Sequence, residues 1–164
     1  MPAPTRATVG LAAALLLATP VLGACGAGRT SVTAKERAAI DGAQTNAGDL
    51  QLRNVHFDAP SGSEWATGSQ VPLAMYVVNR GGEADQLLSV EATGVGSATL
   101  TPSPMDIKGG GLLTTGAAHT QGATNAATVV LTTTALLRPG QTVPVTFTFA
   151  RAGAVTLNVP VAIS

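Results

Sequence analysis

Val143-Pro144-Val145-Thr146-Phe147-Thr148-Phe149, the linker Ala150-Arg151-Ala152-Gly153, and Ala154-Val155-Thr156-Leu157-Asn158-Val159-Pro160-Val161-Ala162-Ile163 form the carboxy-terminal stretch. In both runs the odd-numbered residues are apolar and the even-numbered ones are Pro, Thr, Asn or Ala. Successive side chains of an extended chain point to opposite faces, so this period of two predicts two half-buried strands. Arg151-Ala152-Gly153 then reads as a hairpin connection. Pro144 and Pro160 have no N–H to give to a ladder, which predicts edge strands or bulges at those points.

The same period recurs upstream. Val71, Leu73, Met75 and Val77 alternate along one strand, and Met75 reads as core. Tyr76 and Val78 make its second face apolar too, which predicts a central position. Asn79-Arg80-Gly81-Gly82 supplies a turn. Asp85 to Thr93 reads as the next strand, with Leu88, Val90 and Ala92 on one face. Leu50 to Phe57 and Ala127 to Leu136 are further strands, and His56 falls on the outward face of the first. Residues 97–125 give no firm strand pattern. No helical period is found from Asp49 onward. Seven or so short strands punctuated by Gly and Pro predict one antiparallel β-sandwich over residues 49–164.

The amino-terminal third reads differently. Arg6 is followed by Val9 to Leu22, an apolar run of 14 residues without charge. A spanning helix needs about 20 such residues, so this is a signal-peptide core. Directly after it comes Leu22-Gly23-Ala24-Cys25, which resembles the bacterial lipobox. That motif predicts cleavage before Cys25 and a diacylglyceryl group on its sulfur, palmitoyl among the acyl chains. The other reading of Cys25 is an incidental free thiol. It is the only cysteine of the chain, so no intramolecular disulfide can form. Residues 1–24 are thus the leader. Residues 25–48, rich in Gly, Ala, Ser and Thr, are a flexible tether; within it Thr33 to Ile40 could wind one or two helical turns, marginal in isolation.

Charge narrows the functional classes. The chain has 9 Lys+Arg against 9 Asp+Glu, and removing the leader takes Arg6 with it. No basic patch is present, which argues against nucleic acid and against polybasic membrane binding. Enzyme chemistry finds no support: two histidines, no HExxH, and scattered carboxylates such as Asp58, Asp85 and Glu91 with no adjacent pair. Gly109-Gly110-Gly111 lacks the lysine and the strand-to-helix setting of a phosphate loop.

The stretches VPLAMYVVNRGGEADQLLSVEATGVGSATL (71–100) and LLRPGQTVPVTFTFARAGAVTLNVPV (136–161) resemble the PCuAC-type periplasmic copper chaperones. In that family a strand ending in Asn-Asn-Gly precedes an Asp-Arg-Leu segment. The counterparts are Asn79-Arg80-Gly81 and Asp85-Gln86-Leu87. The lipobox, the CGAG around Cys25 and LQLRNVHFDAP (50–60) resemble one branch more closely, the LpqE-like actinobacterial lipoproteins. The resemblance covers about Leu50 to Ser164. It implies a cupredoxin-like or immunoglobulin-like sandwich and a lipoprotein on the outer face of the cytoplasmic membrane. It also implies Cu(I) held by His and Met, soft ligands suited to that ion. The first His position falls near Thr101, and the His-x-Met position falls at Ala127 to Val130, where neither residue occurs.

Three residues outside the lipobox are candidate site residues. His119, in the polar loop Gly116–Gly122, and Met105 could form a degenerate copper site; the plainer reading of His119 is an exposed loop side chain. Trp65, the only tryptophan, lies in the loop Ser61–Gly68, where it could anchor a partner or cap the open end of the sandwich. The leading expectation is a lipid-anchored, non-enzymatic binding or accessory module of the cell envelope without a cofactor, its partner an envelope protein. The alternative is a divergent metal chaperone using Met105 and His119.

Overall fold

The computed structural model describes residues 42–116 and 127–163. The leader, Cys25, the Thr33–Ile40 segment and His119 lie outside the described residues.

Ten strands occupy the described residues: β1 (Ala43–Ala47), β2 (Leu50–Phe57), β3 (Gln70–Asn79), β4 (Asp85–Ala92), β5 (Gly96–Thr101), β6 (Met105–Ile107), β7 (Leu112–Thr115), β8 (Thr128–Thr132), β9 (Thr142–Phe149) and β10 (Gly153–Pro160). Every ladder between them is antiparallel. The hydrogen-bonded order is β1-β2-β3-β8-β5-β4-β9-β10, with β7 also on β3 and β6 also on β4. The two ends of this path return to each other. Phe57 bridges Val161, and the Ala162 N–H donates to the Phe57 carbonyl at 2.9 Å. The result is a nearly closed antiparallel sandwich, as the alternating period predicts.

The opening stretch behaves as read. β9 and β10 pair from Phe149↔Gly153 to Thr142↔Pro160. The hairpin closes at Gly153, whose φ of 78° is open to glycine at no steric cost. Val143, Val145, Phe147 and Phe149 are all buried. β3 is central, with β2 on one side and β7 and β8 on the other. The core joins these residues to Leu52, Phe57, Met75, Leu87 and Leu131 from the facing strands.

Several boundaries differ from expectation. The sequence predicts a tether as far as residue 48, but Ala43–Ala47 form β1 on the edge of β2. This strand is polar and buries little beyond Ala47, so it carries no apolar stripe to betray it. β9 is not an edge, because β4 flanks it as well as β10. Pro144 is accommodated just beyond the β4 ladder, which ends at Ala92 opposite Val145, and its carbonyl accepts from Thr93 N–H at 2.9 Å. In β4 the expected face breaks at Leu88. A bulge between Leu87 and Ser89 turns Leu87 inward and leaves Leu88 exposed. A second irregularity, between Arg53 and His56, has Asn54 at φ 51° and keeps both Leu52 and Val55 inside. The expected strand Ala127 to Leu136 is only Thr128–Thr132. The unassigned 97–125 region holds most of β5 and all of β6 and β7.

Candidate functional site

A concavity lies at the end of the sandwich where three turns meet: β1–β2, β3–β4 and β9–β10. It is a cleft of about 190 Å³ lined by Asp49, Leu50, Asn79, Glu83, Asp85 and Arg151, among others. Asp85 organises it. Although only 6% exposed, its carboxylate accepts from the N–H groups of Gln86 (2.7 Å), Arg151 (2.9 Å) and Ala152 (3.0 Å). Burial pushes its pKa up; the three backbone donors and the nearby Arg151 charge outweigh that, and the pKa is lowered from its ordinary 3.8. The sequence marks Asp85 as a scattered carboxylate and as a family counterpart, without its partners. The first residue of β4 fastens the distant β9–β10 turn.

Asn79 does the same for the neighbouring loops. It is 2% exposed; its amide donates to the Glu83 carbonyl at 2.8 Å and the Ile107 carbonyl at 3.4 Å, and its oxygen accepts from Gly81 N–H at 2.9 Å. The Gly109 backbone runs against the Gly82 carbonyl so closely that a Cβ at Gly109 could not fit. Arg80 N–H donates to the Asp49 carbonyl, closing the cluster against the β1–β2 hairpin. The polar groups of Asp85 and Asn79 are thus spent on neighbouring loops. Among the described residues, no buried side-chain nitrogen or oxygen lacks a partner, and no group of three or more His, Cys, Asp or Glu side chains is placed to hold a metal ion.

The two places that the resemblance sets against copper ligands, Thr101 and Ala127 to Val130, are brought together by the β5–β8 ladder. Thr101 at the end of β5 is the direct partner of Thr128 at the start of β8, beside Ala127. Hydroxyls and methyls are poor ligands for Cu(I), which prefers thioether and imidazole. Met105, the nearby methionine, has no exposed surface; it pairs with Leu87 and belongs to the core. The described residues here do not fit copper. His56 is half-buried and places Nδ1 3.0 Å from the Asn54 carbonyl oxygen.

Trp65 sits at the opposite end. Its backbone bridges Leu137 through hydrogen bonds of 2.8 and 3.0 Å, and its indole N–H donates to the Asp58 carbonyl at 2.9 Å. The ring is half-buried against the core. Beside it the exposed Arg138 and Glu64 form an ion pair at 3.5 Å.

Solved structures that resemble this architecture include PCuAC domains, which places the fold in that class. A copper-bound PCuAC domain from PmoF2 matches with a TM-score of 0.58 at 20% identity, covering 74% of this chain and 98% of that one. The apo PCuAC domain from PmoF1 matches with a TM-score of 0.59 at 20% identity, covering 74% and 99%. Identity this low speaks for the fold alone. The sequence itself is more specific. Residues 50–161 match the model of the LpqE-like lipoprotein family, and the chain belongs to that family. Among its relatives is the lipoprotein LpqE of Mycobacterium leprae, 29% identical over 156 residues, covering 90% of this chain and 84% of that protein.

Proposed function

We propose that this chain is a lipid-anchored, non-enzymatic binding or accessory module of the cell envelope, held through Cys25 on the extracytoplasmic face of the membrane, and that it does not carry copper. The observation that carries the reading is the β5–β8 pair. Thr101 and Thr128 face each other, and the resemblance sets copper ligands at these positions; two hydroxyl side chains there support a PCuAC-like fold without the Cu(I) donor set. Membership of a lipoprotein family supports the anchor. Two acyl chains on Cys25 would hold the domain at the membrane where one chain gives only reversible binding.

The competing reading, a copper chaperone using Met105 and His119, has the PCuAC fold in its favour. Its weakness is Met105, whose thioether would have to leave the core to reach an ion. Titration of the full chain with Cu(I) against a competing chelator decides between them. We expect no binding at chelator-competitive affinity. Tight one-to-one binding, lost in His119→Ala, would overturn the non-metal reading. An unmodified mass for Cys25, in a chain that leaves membranes without detergent, would overturn the anchor.

A further inference from the structure

The tether enters the sandwich at a defined end. β1 runs antiparallel to β2 with Ala43 opposite Val55, so Gly42 lies beside Asn54, near the Phe57 end of β2. That end also holds the Asp58–Ser69 loop, the 133–141 segment paired to it, and Val161 to Ile163 after β10. Asp85, Asn79 and the β9–β10 turn lie at the other end.

The two ends differ in what they show to solvent. On the far end Asp49, Arg80, Glu83, Asp106, Lys108 and Arg151 are all exposed. Among the described residues, the charged side chains exposed on the loops of the tether end are Glu64 and Arg138, paired with each other, with Asp58 half-buried and Glu91 exposed at the close of β4. The tether end also presents Ile163, 72% exposed, Leu136, 39% exposed, and the half-buried Trp65. Tryptophan and aliphatic side chains beside a lone arginine are the composition that settles at a membrane–water interface. Leu88 and Leu112, the other large exposed apolar residues, stand singly on the β4 bulge and on β7.

We infer that the tether end is a membrane-contact face, with Trp65, Leu136 and Ile163 resting on the lipid interface. This rests on the anchored reading above. Residues 26–41 separate Cys25 from Gly42 and span at most about 60 Å even when extended. The near end therefore meets lipid without further cost. Presenting the charged end would use about 33 Å of that reach to pass the ten-residue β3. Anchoring also makes the contact intramolecular, so a small apolar patch suffices at the high local concentration of lipid. The far-end cleft then faces away from the membrane.

Trp65 reports on this directly, since it is the only tryptophan. The full lipidated chain is reconstituted into vesicles of phosphatidylcholine and phosphatidylglycerol, with or without bromines high on the acyl chains. We expect co-flotation, a blue shift, and loss of Trp65 emission in the brominated vesicles. The double variant Leu136→Asp, Ile163→Asp should still float and keep its circular dichroism, but lose the quenching; Leu112→Asp should retain it. A floating chain with unquenched Trp65 overturns the contact face and leaves the anchor intact. An emission change that follows protein density and not bromination gives the face to a second copy and also overturns it. A chain with unmodified Cys25 that does not float overturns the anchor, and this inference with it.

Discussion

Replacing Asp85 by asparagine should destabilise the fold in a pH-dependent way. The side chain is nearly the right shape, but only one acceptor oxygen remains. Oδ1 now accepts from Gln86 and Arg151 and Oδ2 from Ala152, so in Asp85→Asn an amide N–H faces a backbone N–H at one of these contacts. Hydrogen bonds to a charged acceptor contribute about 1.5–3 kcal/mol each, and an unmet buried donor costs about 1–3 kcal/mol. The carboxylate opens onto a cleft that water can enter, which argues for the lower half of these ranges. A loss of about 1–3 kcal/mol is therefore expected at pH 7. Because the folded pKa lies below the ordinary 3.8, the wild-type advantage is present above that value and disappears as pH falls through the folded pKa. Urea unfolding of the mature chain carrying Cys25→Ser, with and without Asp85→Asn, gives the difference at each pH. It should be constant from pH 7 to 5 and narrow steadily toward pH 2. A difference within about 0.5 kcal/mol at pH 7, the range of an ordinary surface substitution, would refute the role assigned to Asp85. So would a difference that persists unchanged in acid.

Asn79→Ala removes contacts to Glu83, Ile107 and Gly81 together and should cost about 2–3 kcal/mol; hydrogen exchange at Gly81 should quicken, and an unmoved melting temperature would speak against it. Met105→Leu conserves volume in a packed core and should cost under about 1.5 kcal/mol, whereas Met105→Ala should cost about 2–5 kcal/mol in urea unfolding. A neutral Met105→Ala would show that this side chain does not pack as described.

The fold was legible wherever one face of a strand is apolar. β2, β3, β9 and β10 announce themselves through Val, Leu, Met and Phe at alternate positions, and the Gly153 hairpin follows from spacing alone. β1 was not legible, because it is held by backbone pairing and by Arg53, which donates to the Thr45 carbonyl and the Asn46 side chain. Nor was the phase of β4: a bulge shifts every later residue to the other face, and nothing in Leu87-Leu88 says which leucine turns in. β5 to β7 are short and joined by turns, so their period never repeats often enough to register. At the site, the resemblance identified Asn79 and Asp85 as family positions without revealing what they bond. Their partners lie up to 67 residues away, a separation no local pattern encodes. The meeting of Thr101 and Thr128 was likewise invisible until β5 and β8 paired.

Asn79 and Asp85 are counterparts of motif positions in the resembled copper chaperones, and here their polar groups are bonded to neighbouring loops. They fasten turns. A sequence profile weighted on such positions will gather proteins that share a chassis whatever they carry. On the reading proposed above, what such a chassis carries is written in a different place, the β5–β8 seam, where two threonines stand and where a single substitution to histidine or methionine would be the first step in exchanging one trade for another.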